Sequence, residues 1–160
     1  MASRPETLVR DLSLRPHPEG GWYAEVFRSR AAVTPSDGRG SRASLTSIYF
    51  LLTTGQQSRA HRVASDEAWH FYEGEPLELL SCDPACERLE RVVLGPWDGK
   101  MRPTHVVPAG HWQCARPLGA YALVGCSVGP GFDFADFKMV ADEPSVADRL
   151  ERLGLHCVER

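Results

Sequence analysis

His61 and Glu67 are the residues whose types and spacing point most directly to chemistry. They sit in the frame Gly55, five residues, His61, one residue, Val63, three residues, Glu67, six residues, Gly74. On two paired strands both would face inward across the mouth of a barrel, and alternation would turn Val63 the same way as His61. An imidazole and a carboxylate so placed have two uses. The first is to hold a divalent metal (Zn, Fe, Mn or Ni), with Gln113 adding a carbonyl oxygen as a tentative third ligand. Firm catalytic sites hold their ion with three strong protein ligands, so His70 or His111 would have to face inward as well. A metal in such an open site would polarise a carbonyl or activate water.

The second use is acid–base chemistry without a metal. Burial raises a carboxylate pKa, and a neighbouring imidazole favours the charged form. His61 and Glu67 would then act as base and orienter near neutral pH, with Tyr49 or Tyr72 as the candidate acid. Trp69, Phe71 and Trp112 are candidate aromatic walls for a ligand, with Gln113 and His70 as polar contacts. The plainer alternative is a core histidine and a glutamate that satisfy each other's hydrogen bonds. His70 falls off the Trp69 and Phe71 alternation, which favours packing over ligand contact. Glu19 and His17 lie in His17-Pro18-Glu19-Gly20-Gly21, which reads either as a special turn or as a cap over the barrel mouth.

Ten short strands would position these groups: Trp22–Arg28, Ser44–Thr53, Arg59–Val63, Ala68–Tyr72, Leu77–Ser81, Leu89–Leu94, Thr104–Val107, Trp112–Ala115, Tyr121–Val128 and Asp133–Val140. That spacing predicts a sandwich or barrel. Two helices flank it, Pro5–Leu12 and Ser145–Leu153, the second with Ser145 as its cap. Thr34–Arg42 reads as an exposed loop, and His105 as a surface strand residue.

Composition narrows the class. The chain has 160 residues, 42% hydrophobic and 24% charged, with net charge −3. That suits one globular domain over residues 1–160, with a core of about 8–140. No basic stripe points to nucleic acid, and the longest apolar run is far too short to span a bilayer. The N-terminus lacks an apolar signal region, so a cytoplasmic location is expected. The five cysteines match no standard zinc pattern and are read as reduced thiols, with Cys114 and Cys126 packed as small hydrophobes.

The spacing around His61 resembles the first cupin motif, with Val63 in place of its second His. Pro108-Ala109-Gly110-His111-Trp112-Gln113 resembles the second motif, with Gln113 in place of its His and Arg102 in place of its opening Gly. The chain further resembles the cupin-like family of uncharacterised function that carries the HPEGG signature. The matching pieces are His17–Tyr23, Thr46–Leu52, Ser65–Tyr72, Val107–Gln113 and Val128–Phe134. The resemblance implies an all-β cupin double-stranded β-helix, a jelly-roll barrel like that of the deoxysugar epimerases, with short N- and C-terminal helices and usually a homodimer. By analogy with those epimerases, it implies an isomerase, epimerase or lyase acting on a small polar molecule, sugar-like or heterocyclic, through His61 and Glu67. The alternative is a non-catalytic binding or sensing protein with a degenerate metal site.

Overall fold

The computed structural model describes residues 2–155; His156 and Cys157 lie outside the described residues. The elements run α1 (Arg4–Asp11), β1 (Arg15–Pro16), β2 (Trp22–Arg28), β3 (Ala32–Val33), β4 (Arg42–Ala43), β5 (Thr46–Thr53), β6 (Ser58–Val63), β7 (Asp66–Gly74), β8 (Leu77–Cys82), β9 (Leu89–Leu94), β10 (Thr104–Val107), β11 (Trp112–Pro117), β12 (Tyr121–Gly129), β13 (Phe137–Met139) and α2 (Pro144–Leu153). Two sheets carry the fold. One has six strands in the order β1-β2-β5-β12-β7-β10, and the other five in the order β13-β6-β11-β8-β9. Every strand pairing within them is antiparallel, the double-sheet arrangement of a jelly roll.

Alternation along the strands makes three apolar layers. Phe50, Leu52, Trp69, Leu77, Leu79, Leu94 and Val124 fill the space between the sheets. Their neighbours point outward. Leu51 and Leu123 meet Leu8 of α1 and the following Leu14, while Leu80, Trp112 and Cys114 meet Leu150 of α2 and the following Leu155. Each helix therefore covers part of one sheet's outer face.

Local chemistry sets the ends of these elements. Ser3 and Glu6 form a reciprocal capping box at α1. At α2 the structure departs from the expected Ser145 cap. Pro144 occupies the first turn, where its missing N–H costs nothing, and Glu143 takes the cap position without a side-chain bond. The expected strand Asp133–Val140 shrinks to Phe137–Met139, because the Asp133 carboxylate accepts the Ala135 N–H and caps a single 3-10 turn, Phe134–Asp136.

The segment Thr34–Arg42, expected as an exposed loop, is tied back at its end. Arg42 grips the buried Asp136 carboxylate with two bonds of 2.8 Å. Arg39 reaches the same carboxylate at 3.2 Å and Ser65 Oγ at 2.9 Å. His105, expected at the surface, is mostly covered, 3.7 Å from Glu90.

Among the described residues, no helix is long and apolar enough to cross a membrane. The contribution of α2 is open to measurement. Leu150, on the inner side of α2, is fully buried, and a Leu-to-Ala truncation in such a site costs about 2–5 kcal/mol. Leu150→Ala should lower the urea midpoint by the corresponding amount, read by circular dichroism.

Candidate functional site

A cavity of about 360 Å³ opens at one end of the space between the sheets, at the small end of the range for ligand pockets. Cross-strand register explains which residues reach it. Arg28, Thr46, Val128 and Glu67 form one inward row across β2, β5, β12 and β7. Glu25, Ile48 and Cys126 form the next. The following inward row, Tyr23, Phe50, Val124 and Phe71, lies against the packed core. From the second sheet come His61 and Val63 of β6 and Phe137 of β13, with Phe137 paired to Val63.

Alternation also decides which expected residues stay out. Tyr49 and Tyr72 stand on the outer face of the six-stranded sheet, with ring centroids 6.0 Å apart, because Ile48 and Phe50 take the inward positions. His70 faces outward too, with Nδ1 3.3 Å from Thr104 Oγ1. Trp112 cannot share a face with its neighbour Gln113. It packs outward under α2, with the Arg62 guanidinium 4.6 Å from its ring. Trp69 and Phe71 do point inward, but each two-residue step along β7 moves about 6.6 Å away from Glu67, which leaves both in the core and not in the cavity wall. Gln113 lies just beneath the cavity, where its Nε2 donates to Glu67 and its Oε1 accepts the Trp69 Nε1–H at 3.0 Å.

The HPEGG segment supplies the group that spacing alone did not place. Gly20 has φ +108°, and a Cβ there would stand 2.3 Å from the Gln57 carbonyl oxygen. Gly21, with φ +71°, would meet the Leu51 carbonyl oxygen at 2.7 Å. Only glycines allow this close approach. The Arg59 N–H then donates to the Glu19 carbonyl at 2.7 Å, and the Arg59 side chain donates to the Pro18 carbonyl. The result drives the Glu19 side chain into the barrel, 8% exposed, with Ser58 Oγ donating to its Oε1 at 2.9 Å.

Hydrogen bonds fix the protons at the floor. His61 Nδ1 is 2.7 Å from the Arg59 carbonyl, which can only accept, so Nδ1 carries hydrogen. The other nitrogen, Nε2, faces Glu19 Oε2 at 3.2 Å. A neutral ring and an ionised carboxylate would set two lone pairs against each other, so one proton must lie between them. Burial pushes the Glu19 carboxyl up to about 8, with Ser58 and Arg59 opposing, and pushes His61 below its usual value. Near neutral pH the proton therefore rests mainly on Glu19, with His61 as its acceptor. Glu67 is also raised, first by burial and further by Glu19, while His61, Gln113 and Cys126 hold it down. His17 accepts the Glu19 N–H at Nδ1 (3.2 Å), and burial depresses its pKa to about 3, so it stays neutral.

These donors do not make a metal site of the expected kind. Val63 offers no ligand, the Gln113 carbonyl oxygen is committed to Trp69, and the His61 Nε2 lone pair is engaged by Glu19. Among the described residues, no group of three His, Cys, Asp or Glu side chains is arranged to hold an ion. Glu19 and His17, expected as a cap over the barrel mouth, do line the cavity, whereas Arg15, Tyr23, Arg28, Cys126 and the Phe132, Phe134 and Phe137 wall are lining residues that the motif spacing does not mark. Period-two counting outward from Glu67 along paired strands would have found Cys126 and Arg28 once the register was known.

Two opposite pH dependences follow. Glu19 is harder to ionise folded than unfolded, so its contribution is complete below about pH 4.5 and is lost as pH rises through about 8. His17 is harder to protonate folded, so its contribution is complete above about pH 6.5 and is lost as pH falls toward 3. Glu19→Gln should flatten the alkaline fall in melting temperature between pH 5 and 9 and leave the acid limb in place.

The sequence profile described as Cupin superfamily (DUF985), Cupin_5, matches residues 6–140. Protein SO0799 from Shewanella oneidensis is 33% identical, over 100% of this chain and 99% of its own, with a TM-score of 0.85. A hypothetical protein from Leishmania major is 31% identical over 92% and 96% of the two chains, with a TM-score of 0.79. Oxalate decarboxylase from Bacillus subtilis, 17% identical with a TM-score of 0.59 over 90% of this chain and 37% of its own, shares the fold. No curated protein matches the chain. With its profile match spanning most of the sequence and a double-sheet barrel to go with it, the chain belongs to the Cupin_5 family of the cupin superfamily.

Proposed function

We propose that the pocket moves protons on a small polar molecule without a metal, as an isomerase, epimerase or lyase would. The observation that carries this reading is the 3.2 Å approach of Glu19 Oε2 to His61 Nε2, which calls for one proton between them while Nδ1 is held on the Arg59 carbonyl. The lock leaves His61 one working nitrogen. Glu19 is the acid, since burial keeps it protonated near neutrality. Glu67 is the base, since His61, Gln113 and Cys126 all favour its ionised form. A C–H proton taken by Glu67 and a proton given by Glu19 at another atom of the ligand complete an isomerisation or an elimination.

Incubation in D2O with a panel of aldoses, uronic acids and hydroxy or oxo acids tests this by NMR. The expected outcome is deuterium entering one carbon of one compound class, slowed about 10²–10⁴-fold by His61→Ala or Glu19→Gln. Retained binding with no exchange would favour the non-catalytic binding role instead.

We also propose that the outer face of the six-stranded sheet pairs with a second copy of the chain. One row crosses five strands as Phe27, Ser47, Ser127, Ala68 and Val106, small residues between two exposed apolar ends. Tyr72, half exposed, lies beside it. Such a flat face suits a symmetric contact. Light scattering should give twice the chain mass for the wild type and the single mass for Phe27→Asp with Val106→Asp.

A further inference from the structure

Four charged side chains surround the pocket mouth: Arg15, Glu25, Arg28 and Asp133. Three have partners. Arg28 and Glu25 form a two-pronged ion pair at 2.9 and 2.8 Å, and Arg28 also donates to the Phe132 carbonyl. Asp133 accepts the Ala135 N–H at 2.8 Å. Arg15 differs. Its guanidinium lies over the Tyr23 ring, 5.0 Å from the centroid, which engages its face and leaves its N–H edge available. Among the described residues Arg15 has no carboxylate partner. The mouth thus offers one unshared positive charge. A dianion such as a phosphate monoester would need a second, and Glu25 and Asp133 would repel it.

Below the mouth the walls are flat and apolar. Tyr23 comes from β2, beside the edge strand β1, and Phe137 from β13, the edge strand of the other sheet, with the His17 ring against both and Phe132 and Phe134 beside Phe137. The His61 ring continues the Phe137 wall, stacked at 5.2 Å and 29°. At the floor sit the uncharged donor and acceptor of the Glu19–His61 pair.

We propose that the ligand is a flat, singly charged organic acid: a carboxylate held by Arg15 at the mouth, an unsaturated or aromatic body lying along the Tyr23, His17 and Phe137 rings, and a hydroxyl or carbonyl oxygen at Glu19 and His61. This assignment rests on the acid–base reading of the pocket and names its substrate class. A carboxylate against the Arg15 fork makes charge-assisted hydrogen bonds that a neutral amide cannot replace.

Calorimetric titration at low salt with 4-hydroxybenzoate, 4-hydroxybenzamide and D-glucuronate tests it. The acid should bind at least about tenfold more tightly than the amide, and added salt should weaken the acid alone. Arg15→Gln, at an exposed position whose fold is checked by circular dichroism, should erase the preference by weakening the acid. Equal binding of acid and amide, a preference that survives Arg15→Gln, or binding by neither overturns the carboxylate assignment. Glucuronate binding as tightly as the aromatic acid overturns the flat body. Equal binding of acid and amide, with both weakened by Glu19→Gln, removes the proposed class and leaves the acid–base reading standing. A carboxylate preference with no solvent exchange on any compound does the reverse.

Discussion

Two lone pairs cannot face each other at hydrogen-bond distance in a site that excludes most water, and the floor of this barrel is built around that constraint. His61 Nε2 and Glu19 Oε2 are both nearly buried, and the Arg59 carbonyl removes the freedom of the imidazole to turn its other nitrogen inward. A proton between them is therefore part of the folded structure. The features around the pair keep it there. Gly20 and Gly21 let the HPEGG turn press against β5 and the Gln57 carbonyl, and Arg59 holds that turn through the Glu19 and Pro18 carbonyls. Arg59 thus fixes both partners, the acid by its N–H and the imidazole by its carbonyl.

The same constraint gives Gln113 and Val63 a physical reading. In a metal-binding barrel these positions would point ligand atoms at an ion. Here the Gln113 amide spans Glu67 and Trp69, donating to the first and accepting from the second. Val63 pairs across to Phe137 and joins the apolar wall. With Val63 and Gln113 in these places, a proton between Glu19 and His61 reconciles the facing groups at the floor.

Much of the fold was legible because strands announce themselves by alternation and by the turns that bound them. Trp22–Arg28, Leu89–Leu94 and Thr104–Val107 have the extents their patterns predict. Errors came where a side chain outbid the backbone pattern, as at Asp133, or where a proline reset a helix start, as at Pro144. At the site, the spacing that singled out His61 and Glu67 reflects strand geometry, and the two do meet in one cavity. Trp112 and Gln113 are adjacent on β11 and so face opposite ways, and only Gln113 reaches the site. Tyr49 was separated from the cavity by the same rule. Phe137, Arg15 and Arg28 were invisible for another reason. They join the pocket through pairings between distant strands, and register of that kind is written in no local window.

The grip of Arg39 and Arg42 on Asp136 links the two ends of this reading. Asp136 closes the turn that carries Phe134 and leads into Phe137, so the aromatic wall is anchored from the hairpin of β3 and β4 as well as from the barrel beneath it. The tip between those two strands is largely exposed. Insertions or deletions there could shift the wall by small steps while the proton-bearing floor stays as it is. Relatives that share the floor could in this way diverge in the molecules they admit, with changes gathered in a surface hairpin that an inspection of pocket residues alone would pass over.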